Sequence, residues 1–189
     1  MSDVIRIAQY YSYVLDWRFL LITLFFFALS ILVGVILYLL CQPFVSVRQR
    51  WGKLLLILTM GLSSAMVIWV GDPNLLYTFP VFVFFFMLAT KGNRLGRLAM
   101  CIIFFCLIMS ICALLDTYLG YRLIHLDTDY LTSFGRLFLA GAIYLCFRRF
   151  LPKRSVKLSP NLWALVFALS LMPLCALAAT VLLTYPYNY

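Results

Sequence analysis

Arg148-Arg149-Phe150-Leu151-Pro152-Lys153-Arg154-Ser155-Val156-Lys157 carries five of the chain's fifteen basic residues and no acid, and apolar stretches flank it on both sides. In a chain this hydrophobic, such a short loop stays on the cytoplasmic side, so it sets the direction of every segment around it.

Working outward, the composition states what the solvent is. The chain has 189 residues, 66% of them hydrophobic and 11% charged, with a mean hydropathy of +1.05. Soluble domains are about a quarter charged, so the bilayer is the expected solvent for most side chains, and the expected fold is an all-α, polytopic transmembrane helix bundle. The length suits one such bundle and no second soluble domain. The net charge is +9. Its basic residues fall between apolar runs, which points to topology and anionic lipid headgroups and away from nucleic acid. The six cysteines (Cys41, Cys101, Cys106, Cys112, Cys146 and Cys175) form no CxxC and read as free packing residues, with no disulfide framework and no metal site.

Six spans are expected, at about 19–41, 54–70, 75–90, 98–119, 131–147 and 158–185. Before them, residues 1–18 mix Asp3, Arg6, Asp16 and Arg18 with Tyr10, Tyr11, Tyr13 and Trp17. They lack the basic n-region and cleavage site of a secretory signal and suit a headgroup-level segment. The stretches 42–53, 91–97 and 148–157 hold three, three and five Lys and Arg. The opposite side holds Arg6, Arg18, Arg122 and Arg136. This alternation predicts an N-terminus outside, a multi-pass plasma-membrane protein, and a chain end at Tyr189 that is also outside. Small residues Gly61, Ser63, Ser64 and Ala65 in span 2 prepare it for a close helix neighbour, whereas span 1 shows no small-residue docking motif. Pro80 and Pro173 are either hinges or tolerated kinks. The Phe runs, Phe25–Phe27 and Phe82 with Phe84–Phe86, are read as facing lipid, with a greasy pocket as the alternative.

Asp116 and Arg136 stand out because an unpaired charge in hydrocarbon is costly. They lie near the same ends of consecutive spans. They are either a ligand or gating pair facing an outward pocket, or a salt bridge joining two helices, with snorkelling open to Arg136. His125, Asp127 and Asp129 could in principle hold a divalent cation, but a polar surface loop is the simpler reading. The chain has no Glu, no HExxH, GxSxG, P-loop or dinucleotide fingerprint, and nearly pure hydrocarbon at mid-span. No catalytic residue and no cofactor are therefore expected.

Gln42-Pro43-Phe44-Val45-Ser46-Val47-Arg48-Gln49-Arg50 after the first span, Gly71-Asp72 after the second, Lys91-Gly92-Asn93-Arg94 after a Phe-rich third, and Leu171-Met172-Pro173-Leu174 in the last form a recognisable series. It resembles the membrane sensor region of GHKL-type (AgrC-like) sensor histidine kinases of Gram-positive bacteria. The resemblance covers nearly the whole chain in hydropathy, loop character and length. It implies a module that takes an extracellular signal, such as a peptide or small molecule, and moves a helix leading to a cytoplasmic kinase. The expected partners are the lipid bilayer, that signal and a second copy in a homodimer. His125 is the only His and ATP-binding boxes are absent, so the kinase part is expected in a region following Tyr189, beyond a further span. Asp116, Arg136, Asp127 and Asp129 are the expected signal-facing residues. The alternative is the small-molecule-binding membrane subunit of a transporter.

Overall fold

The computed structural model describes residues 17–66, 70–122, 128–152 and 158–184. Among them are six helices: α1 Trp17–Cys41, α2 Gln49–Ala65, α3 Asn74–Ala89, α4 Arg94–Arg122, α5 Thr128–Arg148 and α6 Pro160–Thr184. Two short strands, β1 Ser46–Val47 and β2 Thr90–Lys91, pair antiparallel with Ser46 opposite Lys91 and Val47 opposite Thr90. The bundle is all-helical apart from that ladder, as the composition demands.

Local chemistry sets the boundaries. Pro43, two residues past the end of α1, has no N–H to continue the helix. Gly71 at φ +86° forms the turn before α3, and the Asp72 carboxylate accepts the Asn74 N–H at 2.8 Å. Gly92 at φ +117° reverses the chain before α4, whose start is held by Asn93 Oδ1 accepting the Leu95 N–H at 3.1 Å. Ser159 and Pro160 open α6 as a cap followed by a proline in the first helical position. Both α3 and α6 run on through Pro80 and Pro173.

Four helical segments are long and apolar enough to cross a bilayer: Leu20–Cys41, Arg94–Thr117, Leu131–Arg148 and Pro160–Leu183. This fits a membrane-embedded protein. The other two are shorter: α3 falls where a span was expected, at 75–90, whereas α2 departs from the expected 54–70. α2 begins at Gln49 and takes Arg50 and Lys53 into its first turns, then stops at Ala65 with Met66 extended. It has seventeen residues and is thus about 25 Å long. α3 has sixteen, shorter than the roughly twenty that a hydrocarbon core requires.

The arrangement centres on α4. Of its span, 61% is buried, against 11–22% in the other three long helices. α3, α5 and α6 pack on α4, and α1 packs on α2 and α5. Phe82 and Phe86, four residues apart, share one face of α3, where they stack at 5.8 Å and are fully buried. Phe105 of α4 meets Phe82 at 5.5 Å. Phe84 stays 64% exposed. Helical spacing thus divides the run between core and surface, which the lipid-facing reading of the whole run overlooked. Phe138, Met172 and Leu183 are also exposed, and such apolar surfaces are normal against lipid.

The ends of the bundle differ in charge. The β1–β2 ladder joins the α1–α2 and α3–α4 connections, and Leu158 and Trp163 close over Phe44, Ser46 and Lys91 at the same end. All three basic connections therefore meet at one end, the basic end; the portion 153–157 lies outside the described residues. At the far end the Val70 N–H donates to Thr117 Oγ1 at 3.2 Å.

α1 and α2 approach each other backbone to backbone. A Cβ at Gly34 would overlap the Ile57 carbonyl oxygen, and one at Gly61 would lie 2.8 Å from the Ser30 carbonyl oxygen. The small residues of span 2 do admit a neighbour, and span 1 answers with Ser30 and Gly34, one turn apart. That small-xxx-small pair corrects the expectation that span 1 has none. Gly34→Ala is expected to destabilise the bundle by about 1–3 kcal/mol through overpacking, seen as a lowered Tm in detergent. Gly141→Ala, with nothing within 4 Å of the new methyl, should match the parent or exceed it by up to about 1 kcal/mol.

Candidate functional site

The end of α2 creates the site. The last carbonyls of a helix have no partner in their own backbone and carry the negative end of the dipole. α2 has no basic residue in its last turn. Its Ser64 carbonyl lies inside the bundle, where water cannot serve it. Arg136 of α5 reaches across, and its Nη1 donates to the Ser64 carbonyl oxygen at 2.7 Å. The Cys112 thiol of α4 approaches the same oxygen at 3.6 Å. The Ser64 hydroxyl turns back on its own helix and donates to the Gly61 carbonyl oxygen at 2.7 Å.

A guanidinium brought into an apolar interior needs a counter-charge. Asp116 of α4 supplies it: Nη2 of Arg136 donates to Oδ1 and Oδ2 at 2.5 and 2.6 Å. Arg136 is 5% and Asp116 3% exposed. The pair joins two helices and, through Ser64, a third. The salt-bridge reading of these residues describes the geometry, and snorkelling of Arg136 does not. Nε of Arg136 is buried without a hydrogen-bond partner.

The pair does not close the space beside it. A cleft of about 260 Å³ lies between α1 and α5 at this end, lined by Thr23, Phe26, Ser30, Thr132, Ser133 and Arg136. Hydroxyls and aromatic carbon line it together with the guanidinium, a lining suited to a small ligand or the end of a peptide. Thus part of the Phe25–Phe27 run lines a pocket: Phe26 and Phe27 border the cleft, while Phe25 meets Phe134 at 6.0 Å.

Of the four expected signal-facing residues, the structure brings Asp116 and Arg136 together. Asp127 and His125 lie outside the described residues, and Asp129 is placed only as a position in the first turn of α5. Among the described residues no cluster of three His, Cys, Asp or Glu could hold a metal ion. The cysteines are free; Cys41, Cys101, Cys106 and Cys112 are buried, and Cys146 and Cys175 are exposed.

Three participants went unrecognised in the sequence. The Ser64 carbonyl is a backbone atom and leaves no signature beyond the early stop of α2. Thr132 and Ser133 lie one turn or less before Arg136, and their spacing was the available signal. Arg97, counted only among the basic residues of 91–97, is a fourth. It repeats the device at the basic end: its Nη1 donates to the carbonyls of Met87 and Thr90 at 3.1 and 3.0 Å, closing the end of α3.

No family model, curated protein or solved structure matches this chain.

Removing one partner of a buried ion pair strands the other charge, a loss of about 3–5 kcal/mol. Asp116→Leu and Arg136→Met should each lower Tm by many degrees, and the double variant should be more stable than the sum of the two losses. Coupling in that double-mutant cycle should reach about 2 kcal/mol. Strict additivity would mean that the pair is no unit.

Proposed function

We propose that this chain is a signal-sensing membrane module of the kind found ahead of two-component histidine kinases, with its ligand cleft beside Arg136. On this reading six helices alternate across the plasma membrane. The basic end is cytoplasmic, and the far end, with the N-terminus, faces outside, where it receives a peptide or small-molecule signal. The module acts as a homodimer. Charge supports the orientation: eleven of fifteen Lys and Arg fall in the three stretches of the basic end, counted as three, three and five.

The observation that carries the sensing role is the buried Asp116–Arg136 pair at the edge of a cleft. Two apolar side chains would hold α4 and α5 together as well or better. An ionisable pair inside a membrane bundle marks a functional site by default. A ligand offering a carboxylate or carbonyl to Arg136 competes with Asp116 and with the Ser64 carbonyl. When it wins, the end of α2 is released. α2 begins next to the β1–β2 ladder, where a Cβ at Gly52 would lie 2.7 Å from the Ala89 carbonyl oxygen. A shift of α2 therefore reaches the basic end without an intermediate element. The ligand moves the equilibrium only by its preference for the released arrangement.

The test is a thermal-shift screen of the chain in lipid nanodiscs against short synthetic peptides with free C-terminal carboxylates, each paired with its amidated form. At a hundredfold excess over Kd a true ligand should raise Tm by about 5 °C or more, and amidation should weaken it. The shift should shrink in Arg136→Lys and in Ser133→Ala, which lines the cleft outside the ion pair. A library without any such peptide, or shifts that survive in both variants, contradicts the reading.

A further inference from the structure

We propose that the basic end holds an anionic phospholipid in a two-part site, the headgroup phosphate in a polar chamber and one acyl chain in an adjoining groove. The inference rests on bilayer embedding and is independent of what the far end senses.

The chamber has a volume of about 210 Å³ and is lined on its polar side by Ser46, Lys91, Asn93 and Arg97. None of the six acids lies in 42–53, 91–97 or 148–157, so no carboxylate from these connections neutralises Lys91 or Arg97. Arg97 spends Nη1 on the end of α3, while its Nε is buried without a hydrogen-bond partner. A phosphate oxygen would supply both the missing acceptor and the missing charge.

The groove is apolar and larger, about 750 Å³, and runs between α4, α5 and α6 past Leu40, Ile103, Leu107, Ile143, Phe147 and Val166. Its α4 wall extends from Met100 to Ser110, about 15 Å at the rise of a helix. That is half of a hydrocarbon core of about 30 Å, the depth of one leaflet. Phe44, Leu158 and Trp163 line both chamber and groove, so the two are contiguous. Gly96 makes the junction: a Cβ there would lie 2.8 Å from the Trp163 ring, so only a bare α-carbon seats the indole. Arg148 and Arg149, both exposed, lie on the turn whose Phe147 and Leu151 border the groove. A basic compartment joined to a leaflet-deep apolar one has the form of an anionic amphiphile. A second copy of the chain would fill the groove alone, and free phosphate the chamber alone.

Trp163 reports occupancy. In the full chain carrying Trp17→Phe, Trp51→Phe and Trp69→Phe, its fluorescence is titrated with brominated-chain phosphatidylglycerol or brominated-chain phosphatidylcholine in mixed micelles. The expected result is saturable quenching with a half-saturation about tenfold lower for the anionic lipid, the effect of one to two basic side chains near a phosphate. Lys91→Gln should cut that preference to about threefold or less. Ile103→Phe should reduce quenching by both lipids, and inorganic phosphate should not restore fluorescence. Equal quenching by both lipids, quenching that never saturates, an unquenched Trp163, or displacement by phosphate alone would each overturn the proposal.

Discussion

A helix that ends inside an apolar bundle leaves carbonyl groups that neither its own backbone nor water can satisfy. The architecture follows from that constraint, met twice. α2 and α3 are too short to carry their ends clear of the bundle, and each is closed by an arginine from a long helix. Arg136 closes α2 at the far end, and Arg97 closes α3 at the basic end. Each arginine then raises a second problem, its own charge. At the far end a carboxylate was available on the neighbouring helix, and Asp116 takes the role. At the basic end no acid is within the connecting stretches, and the proposed lipid phosphate would supply the counter-charge. One backbone constraint thus yields both the candidate sensing cleft and the candidate lipid site.

The two ends are also linked mechanically. α2 is pinned by Arg136 at one terminus and lies against the α3–β2 junction at the other. It touches α1 along the glycine contact at Gly34 and Gly61, where backbone meets backbone. Release of its far end is the step by which a ligand in the cleft would act on the basic end.

Much of this was legible in the chain. Uncharged runs marked the long helices, and the asymmetry of Lys and Arg marked two unlike ends. Asp116 and Arg136 were visible because charge in hydrocarbon needs a reason. The length of α2 was not legible, because its first turns are polar and its last are small, so the apolar window sits off-centre from the helix. Nor was the role of Ser64, since a backbone acceptor has no letter of its own. Arg97 resembled any loop arginine until β1 and β2 brought the end of α3 beside it. The Phe runs were read correctly only in part, for a related reason: side chains one residue apart diverge by about 100° on a helix, so Phe84 and Phe85 stay exposed while Phe82 and Phe86 are buried.

The measurement that tests the central claim most directly is the sidedness of the two ends. In a cysteine-free background, intact cells carrying Thr128→Cys or Ser155→Cys are treated with an impermeant thiol reagent. With the Arg136 end outside and the basic end inside, Thr128→Cys labels and Ser155→Cys labels only after the membrane is opened. Labelling of Ser155→Cys in intact cells would place the basic end outside and contradict the sensing orientation.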